Sequence, residues 1–122
     1  MREIEILIVT SDECWGAGLD AALRREGVTC RIAIDPAAAI RCLVEDRPAV
    51  VALDATYRML DPLRLARRAR ACVAYAAPAI LVLESNPGAC DPWLAGAADA
   101  VLDRAAPARE LAPRIAAALL PV

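Results

Sequence analysis

The chain has 122 residues and a formal net charge of −2; it lacks histidine and lysine, so its 14 basic residues are all arginine. That balance gives no general attraction to nucleic acid or anionic membrane, and no apolar run approaches the roughly 20 residues of a membrane span. With 59% hydrophobic residues and no phenylalanine, the core must be aliphatic, in one domain (1–122) that buries roughly two thirds of its unfolded surface.

The first apolar run, 3–9, reads as a strand, and its acidic, polar lead-in is no signal peptide. A helical pattern follows, with Trp15, Leu19, Ala22 and Leu23 on one face and Gly27 closing it. A second strand over 30–34 runs into Asp35-Pro36, the first of three Asp-Pro pairs. Aspartate is a good N-cap and proline suits the first helical position, where its missing N–H costs nothing. Ile40, Leu43 and Val44 mark the second helix. The strand over 49–53 delivers Asp54 to its C-terminal end. Asp61-Pro62 then opens a helix marked by Leu63, Ala66, Ala69 and Val73. A fourth strand, 79–83, precedes Asp91-Pro92, where Pro87, Gly88 and Pro92 leave room for one or two helical turns. A strand over 100–102 and a helix marked by Leu111, Ile115, Ala118 and Leu119 complete the chain.

Several of these strands are nearly continuous apolar runs, as expected for parallel strands covered on both faces. Right-handed crossovers put helices on both sides of the sheet. The expected fold is α/β, a flavodoxin-like (βα)5 doubly wound five-stranded parallel sheet of order 2-1-3-4-5. The loops after strands 1, 3, 4 and 5 then line one crevice. They bring together Thr10, Ser11 and Asp12; residues 54–57, including Tyr57; Glu84 and Ser85; and Asp103 with Arg104.

Other chemistries lack their residues. Dinucleotide binding needs a glycine-rich loop after strand 1, and Ser11-Asp-Glu-Cys-Trp-Gly has none. Ser11 as a hydrolase nucleophile has no histidine base and no G-x-S-x-G elbow. Without histidine, zinc sites of mixed Cys/His type are excluded; Cys14, Cys30, Cys42, Cys72 and Cys90 are odd in number and form no C-x-x-C pair, and reduced, partly buried thiols are expected.

The order and spacing of these features resemble the receiver domain of two-component response regulators over essentially the whole chain. The matching segments are Ile6-Leu-Ile-Val9, Val50-Val-Ala-Leu-Asp54 with Asp61 seven residues on, Ala97-Ala-Asp-Ala-Val-Leu102, and Glu110-Leu111 with Arg114-Ile115. The resemblance implies a cytoplasmic signalling module, not an enzyme, in which Asp54 is the phosphoacceptor for a histidine kinase in a phosphorelay. It also implies an atypical site. The two acidic positions that hold Mg²⁺ with the acceptor read Thr10 and Ser11, with Asp12 one step beyond. The strand-4 hydroxyl position falls in Leu83-Glu84-Ser85. Arg104 stands for the usual lysine, and Val101 for the switch aromatic. Mg²⁺ prefers oxygen ligands that include one or two carboxylates, so a weak metal site through Asp12 and Asp54 is expected, with Glu84 a candidate further ligand.

Arg104 forms bidentate pairs and keeps its proton, so it is expected to pair with Asp54 or Glu84 and hold the crevice in one state. Three readings of Asp54 stay open: retained acceptor, vestigial site held by Arg104, or simple cap after a strand. The expected partners are a histidine kinase or another signalling protein, with a homodimer a further candidate, and nucleic acid only through an effector domain outside this sequence. The alternative function is a phosphorylation-independent protein-interaction module. Arg64, Arg67 and Arg68, with Arg58 and Arg70 nearby, read as a solvated helix face. Trp93 reads either as a docking anchor or as a cover over the short fourth helix, and Trp15 as packing between helix 1 and the sheet.

Overall fold

The structure, a computed structural model, describes residues 4–56, 59, 61–71 and 77–120. Glu3, Tyr57, Arg58, Cys72, Val73 and Tyr75 lie outside the described residues. The elements are β1 (Ile6–Val9), α1 (Glu13–Arg25), β2 (Cys30–Ala33), α2 (Pro36–Glu45), β3 (Val50–Asp54), α3 (Pro62–Arg70), β4 (Ala79–Glu84), α4 (Pro92–Ala97), β5 (Ala100–Asp103) and α5 (Ala108–Ala117). All strand pairs are parallel, in the order β2-β1-β3-β4-β5. This is the expected doubly wound sheet.

Side chains alternate across a strand, and that alternation sorts the core into two layers. Ile6 and Ile8 of β1, Val50 and Ala52 of β3, and Leu81 and Leu83 of β4 pack with α1 and α5. Leu7, Val9, Val51, Leu53, Ile80 and Val82 pack with α2, α3 and α4. Both faces of β1 and β3 are buried, which is why these strands read as unbroken apolar runs. β2 is an edge strand and exposes Arg31.

The Asp-Pro helix starts are present, with one difference. Asp35 Oδ1 accepts from the Ala38 N–H at 2.7 Å, and Asp91 Oδ1 accepts from the Trp93 N–H at 2.8 Å. Asp61 sits at the start of α3 in the left-handed region (φ 51°) and makes no side-chain cap bond. Aspartate is among the few residues that tolerate this conformation. Gly27, at φ 81°, ends α1 as expected.

Two helix faces are rotated from the expected ones. α2 buries Ala39, Cys42 and Leu43 and leaves Val44 exposed; α3 buries Leu65 with Ala66 and Ala69. α4 has six residues behind a 3₁₀ turn over Pro87–Ala89, and its Trp93 is 72% exposed, so it does not cover the core. Arg64, Arg67 and Arg68 are exposed on α3, while Arg70 bonds to the Ala97 carbonyl and the Asp99 carboxylate. Among the described residues, no helix is long and apolar enough to cross a membrane.

Candidate functional site

Strand parity builds the site. Thr10 and Asp54 continue the alternation of Ile6–Ile8 and Val50–Ala52, so both side chains project to the α1/α5 side of the sheet. There they meet α1's first turn and the β5–α5 loop. Asp54 is 0% exposed and its carboxylate is fully engaged. Oδ2 accepts from the Thr10 hydroxyl at 2.7 Å. Oδ1 accepts from the Thr56 N–H and from Arg104 Nε, each at 3.0 Å. The Thr10 oxygen in turn accepts from the Asp12 N–H at 3.1 Å, which directs its proton toward Asp54.

Arg104 is the hub. Its Nε–H points to Asp54, and its Nη2 donates to Asp12 Oδ2 at 3.0 Å. One guanidinium therefore spans two carboxylates. Its side chain is 17% exposed, against 0% for Asp54 and 31% for Asp12. Burial lowers the Arg104 pKa, but the hydrogen bond it donates to Asp12 and the charge of Asp54 outweigh it, so the net direction is up. Backbone geometry holds the loop, since the Arg104 N–H donates to the Glu84 carbonyl at 3.0 Å. Asp12 has two duties: its Oδ1 also caps α1 through the Trp15 N–H at 3.0 Å. Gly16 permits this close approach, because a Cβ there would lie 2.9 Å from Thr10 Cγ2.

The expected site residues thus divide. Thr10, Asp12, Asp54 and Arg104 converge, and the Asp54–Arg104 pair is present. Glu84 does not join them, which corrects the expectation that it would pair with Arg104 or complete a metal site. It shares the parity of Ile80 and Val82, so it faces the α3/α4 side. There it lines a groove of about 580 Å³ with Asp61, Ser85, Asn86, Asp91 and Leu94. Ser85 lies at the boundary, its hydroxyl 3.3 Å from that of Thr56. Ser11 is exposed, and Asp103 instead accepts from the Ala105 N–H. Trp15 is the site residue that sequence reasoning assigned only to packing. It packs against the α1/α5 layer, yet its ring lies 4.7 Å from the Arg104 guanidinium carbon.

These residues do not fit a magnesium ion. The first-loop side chain bonded to Asp54 is the hydroxyl of Thr10, Ser11 is exposed, and the guanidinium lies between the carboxylates of Asp12 and Asp54. Among the described residues, no group of three or more His, Cys, Asp or Glu side chains is arranged to hold a metal. The arrangement neutralises a buried carboxylate by protein charge.

No protein-family model matches the chain, and no curated protein matches it significantly. Solved structures do. A response regulator (signal receiver domain) from Bermanella marisrubri is 26% identical, with a TM-score of 0.83 over 95% of this chain and 98% of that one. A response regulator receiver domain (CheY-like) from Methylobacillus flagellatus is 14% identical, with a TM-score of 0.81 over 94% and 98%. An orphan response regulator of H. pylori is 15% identical, with a TM-score of 0.80 over 98% and 100%. The last two speak to the fold alone.

Proposed function

We propose that this chain, a response-regulator receiver domain by fold, serves two-component signalling by binding partner proteins independently of metal-dependent phosphorylation at Asp54. The observation that carries this reading is the Arg104 bridge to Asp54 and Asp12. Phosphoryl transfer to a carboxylate relies on positioning and on neutralising the charge of the incoming group. Here the available cation is already spent on the acceptor itself. Both acceptor oxygens are hydrogen-bonded and shielded from solvent, so attack requires the surroundings of Asp54 to open.

Partners on this reading are a histidine kinase or another signalling protein, with nucleic acid engaged only through an attached effector domain. The short α4 and the aliphatic Val101 both support an output insensitive to phosphorylation. The test is to expose the protein to Mg²⁺ and a small acyl phosphate, reading mass and Trp15 fluorescence. No mass gain at Asp54 and no saturation at sub-millimolar Mg²⁺ are expected. A phosphoryl adduct absent from Asp54→Asn, together with metal saturation, would restore the ordinary phosphoacceptor function.

A further inference from the structure

The first turn of α1 meets Arg104 at three different parts of that residue. Asp12 Oδ2 takes the guanidinium edge through Nη2 at 3.0 Å. The Trp15 ring lies against the guanidinium, 4.7 Å from its central carbon. The indole N–H donates to the Arg104 backbone carbonyl at 3.3 Å. One local motif places all three groups, because Asp12 caps α1 through the Trp15 backbone N–H. The helix start that orients the carboxylate therefore orients the indole as well.

We infer that Trp15 is a positioning residue for Arg104, holding the guanidinium where Nε reaches Asp54 and Nη2 reaches Asp12. Arginine carries a long, rotamer-rich side chain whose ordering costs entropy. Two hydrogen bonds to separate carboxylates run along one edge of the guanidinium. An aromatic face opposes tilting of the plane about that edge, and its negative quadrupole offsets the desolvation of the cation. A leucine of similar apolar character offers neither effect. This deepens the reading of Arg104 as the site's cation and rests on it for its meaning. A purely packing role for Trp15 makes a different prediction: the state of Arg104 would not follow the identity of residue 15.

The experiment uses the ¹⁵N-labelled chain and the arginine Nε–H signals below neutral pH. The Arg104 signal, identified by its loss in Arg104→Lys, is expected to be displaced from those of the exposed arginines and slow to exchange. In Trp15→Leu it moves toward the exposed set and exchanges about fivefold faster, the order of factor that a cation–π contact supplies. Trp15→Phe, which keeps the ring but not the N–H, retains most of the displacement. An unchanged Arg104 signal in Trp15→Leu, or Phe behaving like Leu, overturns the inference. Should Trp15→Leu not fold, Arg104→Lys decides. It keeps the carbonyl that receives the indole N–H but removes the flat cation, so the Trp15 indole resonance must shift, and a static one overturns the inference. An Asp54 that proves able to accept a phosphoryl group in a separate sample would sink the preceding reading without changing these resonances in the unmodified protein.

Discussion

Removing Arg104 should leave Asp54 as a buried carboxylate without a cation, and the size of the penalty follows from the surroundings. Breaking a fully buried pair by deleting one partner costs about 3–5 kcal/mol. Asp54 keeps the Thr10 hydroxyl and the Thr56 N–H, and Arg104 is partly open to water, so about 2–4 kcal/mol is expected for Arg104→Ala. Asp54→Ala should cost markedly less once Arg104 is gone, because the charge it removes is then uncompensated. Urea unfolding of the wild type, both single variants and the double variant gives the pairwise coupling directly, expected at about 2 kcal/mol. The equivalent cycle with Asp12 should give a smaller value, since its carboxylate is more exposed and screening erodes surface pairs. Arg104→Lys should fall between wild type and Arg104→Ala, because an ammonium cannot span two carboxylates as a fork. A coupling below about 0.5 kcal/mol, the usual additivity error, would refute the clamp.

Gly16→Ala should destabilise by about 1–3 kcal/mol, as small-to-large changes in tight packing do, and should also lower the Asp54–Arg104 coupling, because the new Cβ pushes α1's first turn from Thr10. Stability should fall as pH rises above about 9: burial pushes the Cys30 thiol to about 11, while burial and then Asp46 push the Cys42 thiol to about 12. Between 9 and those values the unfolded thiols release protons that the folded ones keep, so the slope is negative, and Cys42→Ala should flatten it in alkaline unfolding scans.

The architecture was legible because its signals are local and agree. Unbroken apolar runs mark buried parallel strands, and two of the three Asp-Pro pairs carry side-chain caps where the helices start. The faces of α2 and α3 were less legible. In Ala-rich Pro36–Glu45 many residues are small and apolar, so periodicity points weakly and Val44 turns out exposed. At the site, residue type located Asp54, Asp12 and Arg104, but the side of the sheet decided Glu84. That was readable in principle from β4, where Glu84 alternates with Leu83 and so cannot share a face with Asp54. Trp15 carried no such signal. Its meeting with Arg104 spans 89 positions in sequence and depends on how the Asp12 cap aims the first turn of α1.

On the proposed reading, the Arg104 bridge also bears on what kind of input this domain can respond to. A ligand shifts an equilibrium only by its differential affinity for the two states. If opening the Arg104 bridge costs the pairwise coupling of about 2 kcal/mol, the open form is roughly 30-fold rarer than the closed one. A cation or phosphoryl donor that needs Asp54 free must overcome that ratio before it gains anything. On the proposed reading a metal must displace a guanidinium from both carboxylates, and beside Asp54 it meets the neutral hydroxyl of Thr10. A partner docking on the outer faces of the helices meets no such penalty, because it can bind the closed form as it stands. On the proposed reading, the bridge that occupies Asp54 leaves partner recognition as the signalling route that the energetics favour.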